Sequence, residues 1–284
     1  MTSLLLWSAR HMDTIGIEEA LDLEGTDVNE VDDSGDSALM MYCKFKSMPE
    51  LYENNEQNFI PSILFAHGID INIQNDEGKT ALILAIENLN IQSTVVDIIH
   101  HGADVNLSDY SDKTPLMYAL ERGFEFIIPL LLSKNADVNA RDSTGSHILH
   151  YACVCSGYDT VIQLVEHGAK VNVHDISGIT PLMVASLSGD IQTVKYLISK
   201  GSIISKRDFK RWDASIWAAW GRNEEIVEYL VKRPLVHWGL FRTIPFMLLW
   251  RKRATERLYH PRNLQKFLPI DVDDTGQIRI HGCV

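Results

Sequence analysis

His147, His150, Cys153 and Cys155 crowd into one short stretch, and imidazoles and thiolates are the donors that zinc prefers. On a helix, His147, His150 and Cys153 would share a face. Zinc sites, however, draw their ligands from converging segments, and one helix supplies a single segment. The cluster therefore reads as structural, and no metal is expected. His67, His101 and His167 each stand directly before a glycine that closes an apolar stretch, with His100 beside His101. Histidine there suits the negative end of a helix. Asp32, Asp109, Asp142, Asp175 and Asp208 recur at one place in successive segments, where aspartate stabilises turns, so paired acid–base catalysis has no support. There is no G-x-x-x-x-G-K-[ST], no G-x-G-x-x-G and no G-x-S-x-G. No catalytic residue and no cofactor is expected, and the chain reads as non-enzymatic.

What positions these residues is a period. GTDVN at Gly25, GIDIN at Gly68, GADVN at Gly102, NADVN at Asn135 and GAKVN at Gly168 share a pattern, with a degenerate GSIIS at Gly201. Their starts are 43, 34, 33, 33 and 33 residues apart. A second ladder keeps the same phase: GDSAL at Gly35, GKTAL at Gly78, DKTPL at Asp112, GSHIL at Gly145 and GITPL at Gly178. Two motifs sharing one period are the mark of a repeat array.

Each copy has a physical reading. Thr114 and Thr180 are helix-capping residues, and Pro115 and Pro181 suit a first helical turn, where no amide hydrogen is needed. Ala85, Ala119, Ala152, Ala185 and Ala218 follow at a fixed offset, as close helix approach requires. A second apolar helix then ends at glycine, whose position favours a left-handed backbone. Val-Asn and the next Asp lead into a tight hairpin. One helix pair cannot bury its own apolar face, whereas a stack can.

This pattern resembles the ankyrin repeat over roughly residues 1–233. The resemblance implies an all-α solenoid of about seven helix pairs with β-hairpin tips and a helical C-terminal appendage. The repeats fall at 32–74, 75–108, 109–141, 142–174, 175–207 and a weaker 208–233, after an opening helix pair at 1–31. The first full repeat carries ten extra residues, assigned near Ser47 to Phe59. In the sixth, Arg211 replaces the turn glycine and Asp213-Ala214-Ser215 replaces Thr-Pro-Leu, which allows a bent or specially adapted repeat. His150 occupies the family's common histidine after Thr-Pro-Leu, which bonds backbone between repeats.

With 45% hydrophobic and 23% charged residues among 284, a real core is expected. The apolar run Ile244 to Trp250 stops at Arg251-Lys252-Arg253, short of the roughly 20 residues that span a bilayer. Met1 to Trp7 has no basic region before it and makes a poor signal peptide. Cys43, Cys153, Cys155 and Cys283 have no disulfide-framework spacing, so the cytoplasm, or also the nucleus, is expected. Residues 1–110 hold 20 acidic and 4 basic residues, and residues 111–284 hold 18 and 22. That asymmetry fits either oriented docking or a merely soluble acidic end; it disfavours nucleic acid.

The resemblance makes the partner another protein, bound on the concave face of hairpins and first helices. The variable hairpin positions are Tyr110, Ser111 and Lys113, then Ser143, Thr144 and Ser146, then Ile176, Ser177 and Ile179, then Phe209, Lys210 and Trp212. Glu121, Arg122, Trp217 and Trp220 on first helices and Arg141, His174 and Arg207 at repeat ends join them. Tryptophan and arginine are frequent interface anchors; the alternative is that Trp212, Trp217 and Trp220 pack against the tail. Asn139, and next Asn72, resemble asparagines hydroxylated in many ankyrin repeats.

After Arg233-Pro234 the period breaks. Residues 234–284 read in three ways: a cap over the open end, a degenerate SOCS box, or a basic, aromatic membrane-surface helix. The SOCS-box resemblance implies an adaptor that binds elongin through Phe246, Trp250 and Ala254 and cullin through Leu268-Pro269. Phe246 and Trp250 depart from that family's residues, Asp271 replaces its final proline, and Val272 onward reads as a turn and a short extended segment where that family continues into a helix.

Overall fold

The computed structural model describes residues 3–45, 59–88, 92–232, 270–272 and 278–280. Among them are fourteen α-helices in successive pairs: α1 (Leu4–Arg10) and α2 (Thr14–Leu21), α3 (Ala38–Phe45) and α4 (Ile60–Ala66), α5 (Ala81–Glu87) and α6 (Gln92–His100), α7 (Pro115–Glu121) and α8 (Ile128–Ser133), α9 (Ile148–Cys155) and α10 (Tyr158–Glu166), α11 (Pro181–Ser188) and α12 (Ile191–Ser199), α13 (Ala214–Trp220) and α14 (Glu224–Val231). A 3-10 turn, Glu125–Ile127, leads into α8. The chain divides into two compact units, one of residues 1–119 and 126–136, the other of residues 120–125 and 137–284.

The helices start where capping chemistry predicts. Thr80, Thr114 and Thr180 accept the amides of Ile83, Met117 and Met183, and Asp213 does the same for Ser215 and Ile216. They end on a left-handed residue at Gly25, Gly68, Gly102, Gly168 and Gly201, with Asn135 at φ 62° in that role once.

Ala9, Ala85, Ala119, Ala152, Ala185 and Ala218 are all fully buried. At the matching place in α3 stands Tyr42, also fully buried, its hydroxyl bonded to Thr94 and pushed up to about 12 by burial. That repeat is the one with extra residues; the surplus expected near Ser47 to Phe59 lies, but for Phe59, outside the described residues.

The expected helical appendage and the residues Phe246, Trp250, Ala254, Leu268 and Pro269 also lie outside the described residues. Beyond them, β1 (Ile270–Val272) pairs antiparallel with β2 (Ile278–Ile280), Ile270 opposite Ile280, in keeping with the extended segment read there.

Candidate partner-binding surface

The recurrent aspartates build the hairpins. Asp109 Oδ1 accepts the amides of Ser111 and Lys113, at 2.9 and 2.8 Å. Asp32, Asp142 and Asp175 each accept the same two amides of their own turns, and in α5's hairpin Asn75 Oδ1 does so in place of a carboxylate. The residue three positions on is left-handed: glycine at 35, 78, 145 and 178, but Asp112 and Arg211 at φ 59° and 65°. Arg211 does not bend its hairpin. Asp208 keeps the backbone bonds to Arg211 and Trp212 that the other turns make, and Phe209 still donates to Ser177. The expected distortion of the sixth repeat is absent there, because the frame is carried by Asp208 and needs only that one residue tolerate the left-handed region.

The second carboxylate oxygen faces the first helix. Tyr118, Tyr151 and Trp217, each nine residues after its aspartate, donate to Asp109, Asp142 and Asp208 at 2.7, 2.6 and 3.1 Å. After Asp175 that place is Val184, and burial raises the Asp175 carboxyl above the ordinary range. A second tie spans eight residues: Asp36 with Lys44, Lys79 with Glu87 at 3.0 Å, and Trp212 with Trp220, edge to face with centroids 5.9 Å apart.

Between successive hairpins runs a ladder of asparagine amides. Asn29 and Asn72 accept the amides of Asp70 and Asp104, and Asn106 donates to Asn135. In the other unit Asn139 donates to Gly168 and accepts from Lys170, and Asn172 does likewise with Gly201 and Ile203. The two asparagines read as hydroxylation sites thus both hold the ladder.

The ladder, the hairpins and the helix pairs coincide with one recorded pattern: the family model described as Ankyrin repeats (3 copies) matches residues 5–109, 91–175 and 149–236. The chain belongs to the ankyrin-repeat family. No curated protein matches it. In ankyrin terms its histidine cluster has a structural explanation. His150 is buried, accepts the His147 amide at Nδ1 (3.0 Å) and donates from Nε2 to Ile179 of the next repeat (3.0 Å), so both nitrogens are spent on backbone. Burial pushes His150 down and, with His150 and Arg141 nearby, pushes His147 down to about 4. Cys153 is buried with its thiol pushed up. No group of three or more ligating side chains able to hold a metal occurs among the described residues. The repeat-end histidines keep to helix termini: His67, His101 and His167 each place Nδ1 on the carbonyl four residues back.

The ankyrin surface itself is uneven. Tyr110, Ser111, Arg122, Arg141, Ser143, His174, Ile176, Arg207, Phe209 and Lys210 are exposed; Lys113, Glu121, Thr144, Ser177, Trp212 and Trp220 are half-buried. Three expected contact residues need correction. Trp217 is only 2% exposed and spends its indole N–H on Asp208, while Ser146 and Ile179 are buried as turn residues held by Asp142 and Asp175. Each faces its own repeat because the strand position before a helix cap points inward, as does a residue nine after the turn aspartate. Lys113 lies with Nζ 4.7 Å from the centre of the Tyr118 ring, a relation the sequence reading missed. No helix among the described residues is long and apolar enough to cross a membrane.

Proposed function

We propose that this chain is a non-enzymatic platform for another protein, contacted through hairpin tips and first helices. The observation that carries this is at the tips: Tyr110, Ile176 and Phe209 are 73%, 55% and 78% exposed on turns whose backbone is tied at every step. Bulky side chains open to solvent on a rigid frame favour binding, because little conformational freedom remains to be lost when a partner docks. Arg141, His174, Arg207 and Lys210 flank them, and Ser111, Ser143, Thr144, Glu121, Arg122, Trp212 and Trp220 extend the surface. The test is affinity capture of partners from cell extract by the full chain, beside a variant with Tyr110, Ile176 and Phe209 all changed to Asp. Loss of the same bound proteins from the variant supports the platform; an unchanged set rejects it.

The adaptor reading, elongin at Phe246, Trp250 and Ala254 and cullin at Leu268-Pro269, rests on order and spacing, with Ala254 and Leu268-Pro269-Ile270 matching in kind and Phe246, Trp250 and Asp271 departing. The pairing of β1 with β2 where the SOCS-box family has a further helix weighs against it. Co-purification of elongin with the wild type, lost on Phe246→Asp with Trp250→Asp, is the result that would revive it.

A further inference from the structure

We infer that the hairpin tips of the second unit take an extended acidic segment carrying bulky apolar side chains at every third residue; this deepens, and rests on, the platform reading. Ile176 and Phe209 occupy the same place on consecutive tips. Their amides donate to Thr144 and Ser177 of the tip before, at 3.1 and 3.0 Å, so both side chains issue from a fixed backbone. Neighbouring helices pack about 8–10 Å apart, and an extended chain in the polyproline II conformation advances about 3.1 Å per residue with three residues per turn, returning every third side chain to one face. A ligand meeting one tip residue therefore meets the next about three residues later.

The charge around these tips is of one sign. Arg141, Arg207, Lys210 and Arg211 are exposed, whereas Asp142, Asp175 and Asp208 are buried with their carboxylates turned onto their own hairpins. The exposed acids Asp159, Glu166, Glu224, Glu225 and Glu228 of this unit belong to the second helices α10 and α14, and Glu125 and Asp137 stand just before and just after α8, off the hairpin tips. A segment with glutamate or aspartate between its apolar residues finds cations beside the apolar contacts and no exposed tip carboxylate to repel it. At the tips of the first unit Asp33, Asp76 and Glu77 are exposed and would repel the same segment.

The probe is a fluorescein-labelled peptide, Glu-Glu-Phe-Glu-Glu-Leu-Glu-Glu-Phe-Glu-Glu, titrated with the full chain by anisotropy beside its lysine counterpart. The expected result is at least about tenfold tighter binding of the glutamate peptide, weakening several-fold toward about 0.5 M salt. Ile176→Asp with Phe209→Asp, and separately Arg207→Glu with Lys210→Glu, should each weaken it at least about tenfold. Asp33→Ser with Asp76→Ser should not weaken it. Circular dichroism melting checks that the variants, all altered at exposed side chains, remain folded. Equal binding of both peptides, no binding, or indifference to the tip variants overturns the inference. Capture from extract by the same variants separates the two failures: partners lost on Ile176→Asp with Phe209→Asp, without peptide binding, reject only the acidic class, whereas partners unaffected by tip changes reject the platform.

Discussion

The two units build the same hairpin from opposite surface chemistry. In the first, the tie between hairpin and helix is ionic, Asp36 with Lys44 and Lys79 with Glu87, and the tips expose Asp33, Asp76, Glu77 and Asp112, with Tyr110 the bulky exception. In the second, the equivalent tie is Trp212 against Trp220, and the tips expose Ile176 and Phe209 among arginines. What does not change is the carboxylate or amide oxygen that takes the turn amide four residues on, and the left-handed residue three positions on. The frame is therefore held by side chains bonding backbone, and everything around it is free to vary. A surface so independent of its support can be specialised for a partner without endangering the fold.

Tyr42→Ala tests the comparison most severely. It installs the alanine found at that place in every other repeat, yet it should cost about 3–5 kcal/mol, because the first unit is built around the ring and cannot collapse onto the gap. Denaturant unfolding checks this; a loss below about 1 kcal/mol would mean that the position is interchangeable between units.

Next in size is the turn carboxylate. Asp142→Ala removes the acceptor for two amides and for Tyr151 and should cost about 2–3 kcal/mol. Asp32→Ala loses only turn amides at a half-buried site and should cost about 1 kcal/mol. Tyr151→Phe in the Asp142→Ala background should be nearly neutral if the bond between them accounts for the excess.

Acid should weaken the second unit through His147 and His150. Unfolded, both titrate near 6.5; folded, both are pushed down, to about 4 for His147. The unfolded state then binds more protons below pH 6.5, so the stability they supply is complete above that value and falls as pH drops toward 4. Replacing both with glutamine should flatten the slope by on the order of 1–2 kcal/mol at pH 5, allowing for the solvent that reaches His147. Unfolding of wild type and variant in parallel at pH 7 and 5 measures it; parallel slopes would contradict the neutral, backbone-bound His150.

The smallest effect belongs to the ionic ties. Lys79→Met should cost no more than about 1 kcal/mol, and in high salt the difference from wild type should fade. Trp220→Leu, by contrast, should lose stability independently of salt, and a salt-dependent loss there would erase the distinction between the units.

Much of this was legible beforehand because it is written in backbone demands. Glycine or asparagine where φ must be positive, threonine at helix starts and asparagine after valine each answer a local requirement, so they recur visibly. The carboxylate-to-aromatic bonds were not legible. Nine residues from Asp208 to Trp217 cross a turn, a strand position and a helical turn, and no single period of 2 or 3.6 links them. For that reason Trp217 read as a surface anchor although it is an internal donor, and the eight-residue ties went unseen. Tyr42 was hidden for a different cause: it keeps the seven-residue offset from the turn glycine Gly35, but the longer first repeat puts it 26 residues before Gly68 where Ala152 is 16 before Gly168, and its type is not the small one that marks the place elsewhere.

The asparagine ladder has a consequence for how such a chain changes over generations. Asn29, Asn72, Asn139 and Asn172 each address only main-chain atoms of the following period, never its side chains. A duplicated or deleted segment of one whole period would meet the same main-chain groups at its new junction, whatever residues decorate it. Unequal recombination of the gene can thus lengthen or shorten the array without first inventing a compatible joint, and Ser205, standing where the next asparagine would be, marks where that licence lapses.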